Sequence, residues 1–198
     1  MLIALASVIG PRFLSTQVTQ LQSPLSPLVI PPATPVPVPS PLVVMSYLST
    51  SLNQNTGTLK HVANTGGVWT VSTVDNSMNF IAPTAVAADR SGNSHVAYRS
   101  DETNPNVKYA TNASGAWVIS IVDTNGTLGT NSALALDRAG NVHITYYDRI
   151  RKDLKYATNT SGTWVTTTVD AKGDVGLAAS IVVDGDGRVH ISYRYATG

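Results

Sequence analysis

The stretch Ser132-Ala133-Leu134-Ala135-Leu136-Asp137 is followed by Arg138-Ala139-Gly140-Asn141 and then by Val142-His143-Ile144-Thr145-Tyr146-Tyr147. The first and last pieces are short runs rich in small, β-branched and aromatic residues, as strands are. The middle piece completes an Asp-x-x-Gly-Asn turn, in which Gly and Asn tolerate the left-handed backbone that a tight hairpin needs. Two more short runs follow, Leu154-Lys155-Tyr156-Ala157-Thr158 and Trp164-Val165-Thr166-Thr167-Thr168-Val169, with Asn159-Thr160-Ser161-Gly162 between them. No window holds a sustained apolar period of 3.6 residues, so this unit predicts four short antiparallel strands and no helix.

The unit recurs. Trp69, Trp117 and Trp164 are 48 and 47 residues apart, and Lys60, Lys108 and Lys155 keep the same spacings. So do His95, His143 and His190; Asp75, Asp123 and Asp170; and Asp89, Asp137 and Asp184. A period of this size belongs to a propeller blade or a helical-pair solenoid, and four strands per repeat select the blade. The expected fold is therefore all-β, a partial β-propeller of about three four-stranded blades over residues 43–198.

The run His143-Ile144-Thr145-Tyr146-Tyr147-Asp148, then Leu154 to Thr158, then Trp164 to Asp170, resembles bacterial secreted repeat proteins with the pattern "HISYYD…LKYAT…W…VD". The Asp-x-x-Gly-Asn turn is also similar to that of NHL-type and sialidase-type propeller repeats. The resemblance covers residues 43–194. It implies that the small-residue strand, such as Ala179-Ser180-Ile181-Val182-Val183, lies innermost, and that the Trp-bearing strand lies outermost.

Upstream the composition changes. Arg12 is the only charged residue before Lys60, and nine of the 11 prolines lie between Pro11 and Pro41. Prolines remove backbone donors and push their predecessors toward extended geometry, so residues 20–42 predict an extended arm or linker. Residues 1–19 open with the apolar run Met1 to Ile9, which has the length of a signal-peptide core but no basic residue before it. It is read as a signal-like segment, a disordered terminus or an arm inserted into a neighbouring subunit. The Thr/Ser/Asn-rich body without cysteine places the chain outside the cell or on its surface.

The composition excludes several functions. The 198 residues carry a net charge of +1, without the clustered basic residues of a nucleic-acid binder. There is no cysteine for a disulfide framework or thiol chemistry, and no apolar stretch reaches the ~20 residues of a membrane-spanning helix. Glu102 is the sole glutamate, and near-uniform repeats oppose an active site, which needs unlike residues converging at one point. A sialidase-like hydrolase is thus the third reading, and no catalytic residue, metal ligand or cofactor is expected.

Each candidate residue has a structural alternative. The repeated histidines invite a metal, yet a hydrogen bond to the adjacent turn accounts for them. Asp184-Gly185-Asp186-Gly187 resembles the start of a calcium loop but is followed by Arg188-Val189-His190 rather than a bidentate acid. The sequons at Asn112, Asn125 and Asn159 are read as turn chemistry. Trp69, Trp117 and Trp164, with Tyr98, Tyr146 and Tyr193, offer sugar-stacking platforms or interblade packing.

The first blade starts near Val43 without an inner strand, and the last ends soon after Tyr193. The chain is accordingly either part of a longer propeller or, as the leading expectation, a homo-oligomer in the form of a ring or a filament, joined through open strand edges, with Val43, Val44, Met45, Tyr47, Ile191 and Tyr193 as assembly residues. A glycan-binding propeller is the alternative.

Overall fold

The computed structural model describes residues 43–50, 57–78, 85–100, 106–124 and 128–196. The apolar N-terminus, the Pro-rich arm, Glu102 and the sequon at Asn125 lie outside them. Among the described residues, thirteen strands and no helix make four antiparallel sheets.

The first sheet holds β1 (Val43–Thr50), β2 (Gly57–Thr65) and β3 (Val68–Met78). The second holds β4 (Ala85–Ala88), β5 (Ser94–Arg99), β6 (Val107–Thr111) and β7 (Val118–Asp123), and the third β8 (Leu128–Leu136), β9 (Val142–Asp148), β10 (Asp153–Thr158) and β11 (Val165–Asp170). The fourth holds β12 (Asp174–Val183) and β13 (Val189–Ala196). Sheets two and three are complete blades in which each strand pairs with its chain neighbour.

Across sheets, β4 packs on β8 and β8 on β12, whereas the outer strands β7 and β11 barely touch. The sheets therefore fan out from an axis, with the Ala-rich strands β4, β8 and β12 inside, where little room is left for side chains. The strands that follow Trp117 and Trp164 lie outermost. This is the radial order of a propeller blade.

The turn between first and second strands is built by its aspartate. The Asp137 carboxylate accepts hydrogen bonds from the backbone N–H of Ala139 and Asn141, both at 2.8 Å, and from the Asn141 side chain at 2.7 Å. Asp89 repeats the arrangement with Ser91 and Asn93. Gly140 has φ 86°, a conformation that costs an L residue with a Cβ about 1–2 kcal/mol. In the fourth sheet Asp184 accepts from the N–H of Asp186 and Arg188, so Asp184 to Gly187 form this same hairpin.

A second staple crosses each complete blade. Asn112 Oδ1 accepts from Ser94 N, and Asn159 Oδ1 from Val142 N, both at 2.7 Å, tying the outer turn to the second strand. Two of the three sequon asparagines thus have a defined role in the turn.

Apolar side chains fill the spaces between sheets. Leu59, Val74, Val96, Tyr98 and Ala110 join the first and second, with Trp117 packed against them. Ala97, Tyr109, Val122, Ile144, Tyr146 and Ala157 are among those joining the second and third, with Trp164 at the margin. Val96 and Ala97 enter different clusters because neighbouring strand residues point to opposite faces. A middle strand of a blade is therefore buried on both sides, and β5 and β9 are buried at every position.

Candidate functional site

The repeated aromatic residues, the repeated ionisable residues and the space left between them define the candidate site. Trp117 donates its indole N–H to Ser72 Oγ of the preceding sheet at 3.1 Å and meets the His61 ring edge-on at 5.1 Å. Trp164 does the same one blade later, bonding Ser120 Oγ at 3.1 Å and meeting Tyr109 at 5.3 Å. Both indoles are interblade struts. Trp69, at the same repeat position in the first sheet, is 52% exposed.

The second-strand tyrosines also reach backward. Tyr98 donates its hydroxyl to Asp75 at 2.8 Å and Tyr146 to Asp123 at 2.7 Å. Each aspartate receives a lysine from the same blade as its tyrosine, Lys108 at 3.2 Å and Lys155 at 2.6 Å. Burial and the adjacent aspartate push both tyrosine pKa values well above the usual range. Tyr98 and Tyr146 are 1% and 0% exposed, so neither ring has a face open to a ligand. Tyr193 donates to Asp170 at 2.8 Å yet is 40% exposed. Ile191 is half-buried beside Ile181, its partner in the β12–β13 ladder. Val43, Val44, Met45 and Tyr47 lie in β1, paired with Asn64, Ala63, Val62 and Lys60.

The repeated histidines lie within their own blades. His95 Nδ1 meets the Tyr109 hydroxyl at 2.5 Å while its Nε2 stands 3.6 Å from Asp89; His143 stands likewise between Tyr156, at 2.6 Å, and Asp137, at 3.6 Å. An Asp-His-hydroxyl chain can activate a nucleophile, but here burial pushes both tyrosine pKa values up, away from a nucleophilic phenolate. Burial lowers the His95 pKa, which keeps the ring neutral at pH 7. The histidines tie turn to third strand, and no group able to hold a metal ion occurs among the described residues.

An open space lies at the axis. The turns after β4, β8 and β12 converge around a cavity of about 520 Å³, within the size range of small-molecule sites. Ala88, Leu136 and Val183 end the three inner strands at its wall. Beyond them the lining is polar: Asp89, Asp137 and Asp184, Arg90 and Arg138, and Ser91. Three carboxylates against two guanidinium groups leave little net field, so neither anions nor cations are strongly selected.

The carboxylates are ionised. Burial raises Asp89 and Asp137, but their turn hydrogen bonds outweigh it and hold both below the usual carboxylate range. Asp184 is lowered, chiefly by the hydrogen bond from His190 at 3.0 Å. One contact shapes the far wall. A Cβ added to Gly185 would lie 2.9 Å from Arg138 Nη2, so the guanidinium rests on the next blade's turn and a side chain there would push it aside.

The cavity escapes a reading of one repeat at a time, because its residues come from three turns about one period apart. The available signal was the charged pair Asp89-Arg90, repeated as Asp137-Arg138 and changed to Asp184-Gly185.

No protein-family model matches the chain, and no curated protein sequence does. Among solved structures, the chain is similar to a fucose lectin from Kordia zhangzhouensis in complex with methyl-fucoside, at 13% identity and a TM-score of 0.47, over 66% of this chain and 93% of that one. It is also similar to a variant of the Aleuria aurantia lectin in complex with α-methyl-L-fucoside, at 14% identity and a TM-score of 0.49, over 78% of this chain and 54% of that one.

Proposed function

We propose that the chain is a non-catalytic, glycan-binding propeller module that holds a neutral sugar in the axial cavity. The observation that carries this reading is the chemistry of the cavity wall. Guanidinium donors, carboxylate acceptors and the Ser91 hydroxyl alternate there with near-zero net charge, over short apolar side chains. Neighbouring hydroxyls of a sugar ring need donors and acceptors side by side, and the sugar's C–H face needs an apolar surface. An anionic ligand would call for an excess of guanidinium or lysine, which the wall does not have.

Binding rather than turnover follows from the protonation state. Glycoside hydrolysis by paired carboxylates requires one of them to be protonated as general acid. The hydrogen bonds at Asp89, Asp137 and Asp184 hold all three ionised, so the cavity wall offers no carboxylic proton to a leaving group. The Thr/Ser/Asn-rich composition fits such a module outside the cell.

The test is retention of the labelled chain on an array of neutral and acidic glycans. Expected is binding to neutral glycans that free methyl glycoside competes away, with no release of free sugar. Arg138→Ala should weaken it at least tenfold, consistent with about 1.5–3 kcal/mol for a hydrogen bond to a charged group. Absence of retention, or retention unchanged in Arg138→Ala, would overturn the proposal.

A further inference from the structure

The three turns of the axial wall have spent most of their hydrogen-bond acceptors on themselves. In each, one carboxylate oxygen takes two backbone N–H groups: Asp89 Oδ1 from Ser91 and Asn93, Asp137 Oδ1 from Ala139 and Asn141, Asp184 Oδ1 from Asp186 and Arg188. The other oxygen meets a side chain, Asn93 at Asp89, Asn141 at Asp137 and His190 at Asp184. An ionised carboxylate has about four acceptor positions, so each of these keeps at most one for a ligand. The backbone carbonyls of the same aspartates are engaged too, by the N–H groups of Gly92, Gly140 and Gly187.

The donors, in contrast, are unspent. Among the described residues no hydrogen bond or ion pair engages the guanidinium of Arg90 or Arg138. Each offers about five N–H groups. Arg188, of the third turn, differs in being paired with Asp186. Arg138 lies against Gly185, which brings its guanidinium between the second and third turns. There the ends of β8 and β12 supply the half-buried apolar side chains of Leu136 and Val183.

A sugar hydroxyl accepts and donates together, and a hydroxyl proton left without an acceptor carries a desolvation cost. Turns rich in free donors and short of free acceptors therefore favour a group that accepts without donating. On a neutral sugar the strong acceptor of this kind is the carbonyl of an acyl substituent. It has two lone pairs and no proton, and the methyl group beside it gains from an apolar seat. We infer that the sugar held in the axial cavity is an N-acetylated hexosamine, its acetyl carbonyl accepting from Arg138 and its methyl group resting on Leu136 and Val183. The amide N–H of the substituent needs one acceptor, which matches the single position a carboxylate keeps, and Arg90 donates to the remaining hydroxyl oxygens.

This inference rests on the glycan-binding reading above and narrows it to one class of sugar. The same guanidinium groups would attract a carboxylate, but Asp89, Asp137 and Asp184 line the wall with them and oppose an anion. An uncharged carbonyl is accepted by the arginines without that repulsion.

Calorimetric titration of the full chain with glycosides that differ only in the acetamido group tests it. The pairs are methyl N-acetyl-β-D-glucosaminide against methyl β-D-glucoside, and the corresponding galactosides. Expected is at least tenfold tighter binding of the acetamido member of one pair, the scale of a hydrogen bond to a charged donor. Arg138→Ala should abolish that preference, whereas Arg90→Ala should weaken both members alike. Nuclear Overhauser contacts from the acetyl methyl group should reach the methyl groups of Leu136 and Val183. Equal binding of both members, or a preference that survives Arg138→Ala, would overturn this inference and leave a glycan-binding module standing. Tighter binding of methyl β-D-glucuronide than of either acetamido glycoside would overturn it in favour of an anion. Binding of none of these glycosides, with no retention on the glycan array, would overturn the underlying reading as well.

Discussion

Strands β9 and β13 begin alike, Val142-His143-Ile144-Thr145-Tyr146 and Val189-His190-Ile191-Ser192-Tyr193, yet their surroundings differ sharply. In β9 every side chain is buried; in β13 the tyrosine at the equivalent position is 40% exposed. Both strands nevertheless follow an aspartate-built turn, and both send a tyrosine hydroxyl to the aspartate of the preceding blade. The local motif therefore fixes the hairpin and its backward contact, while burial is supplied by neighbours. A repeat protein of this kind gains stability joint by joint, from interfaces between units as much as from the units themselves.

The comparison predicts unequal costs for equal substitutions, measured by urea unfolding of dilute protein. The largest effect is expected at the buried ion pair. Asp123→Ala leaves Lys155 without its carboxylate between the second and third sheets, a loss of about 3–5 kcal/mol. Asp170→Ala, at the same repeat position, should leave the unfolding midpoint of the dilute chain nearly unmoved. If the two midpoints fell together, a joint would not depend on how many neighbours close it.

Next in size is the tyrosine hydroxyl alone. Tyr146→Phe removes a buried hydrogen bond to a charged group and should cost about 1.5–3 kcal/mol. Tyr193→Phe, where solvent replaces the lost partner, should be distinguishable from wild type only by its spectrum. A large effect at Tyr193 would mean that the open joint is already as tight as the closed one.

The closed joints also predict a pH dependence. Burial holds His61 and His95 below the ordinary value of 6.5 in the folded chain. The unfolded chain therefore binds more protons as pH falls below 6.5. Stability is full above that pH and declines below it, by at most about 1.4 kcal/mol per pH unit for each histidine. His95→Gln should flatten part of that slope, and an unchanged slope would assign it to other groups. A second decline is expected at lower pH, as Asp89 and Asp137 take up protons below 3.8 and release the turns they hold.

The smallest stability effect belongs to the cavity wall. Gly185→Ala meets only the mobile end of Arg138, so unfolding should change by less than about 0.5 kcal/mol. Glycan retention should nonetheless weaken several-fold, because the guanidinium must move. Unchanged retention would place the ligand away from that wall.

Much of this architecture was legible in the sequence. The 47- and 48-residue spacings gave the repeat, Asp137 to Asn141 the hairpin, and the absence of a helical period the blade. The packing alternative for Trp117 and Trp164 could be stated from one repeat, but their Ser72 and Ser120 partners could not. Those serines belong to the preceding unit, and a hydroxyl in a Thr/Ser-rich strand carries no distinguishing mark. The Lys and Asp series were visible as columns, yet that Lys155 meets Asp123 rather than a carboxylate of its own blade follows from the fan of the sheets. The cavity was hidden for the same reason: Arg90, Arg138 and Gly185 become neighbours only when three turns meet around an axis.

The most direct test of the binding site is an NMR titration of the chain with a neutral methyl glycoside that the array identifies, observing arginine side-chain, glycine amide and tryptophan indole signals together. We expect shifts concentrated at Arg90, Arg138 and Gly185, with the indole signals of Trp69, Trp117 and Trp164 unmoved. Shifts led by the indoles, with the arginines silent, would place the sugar on the aromatic column and contradict an axial site.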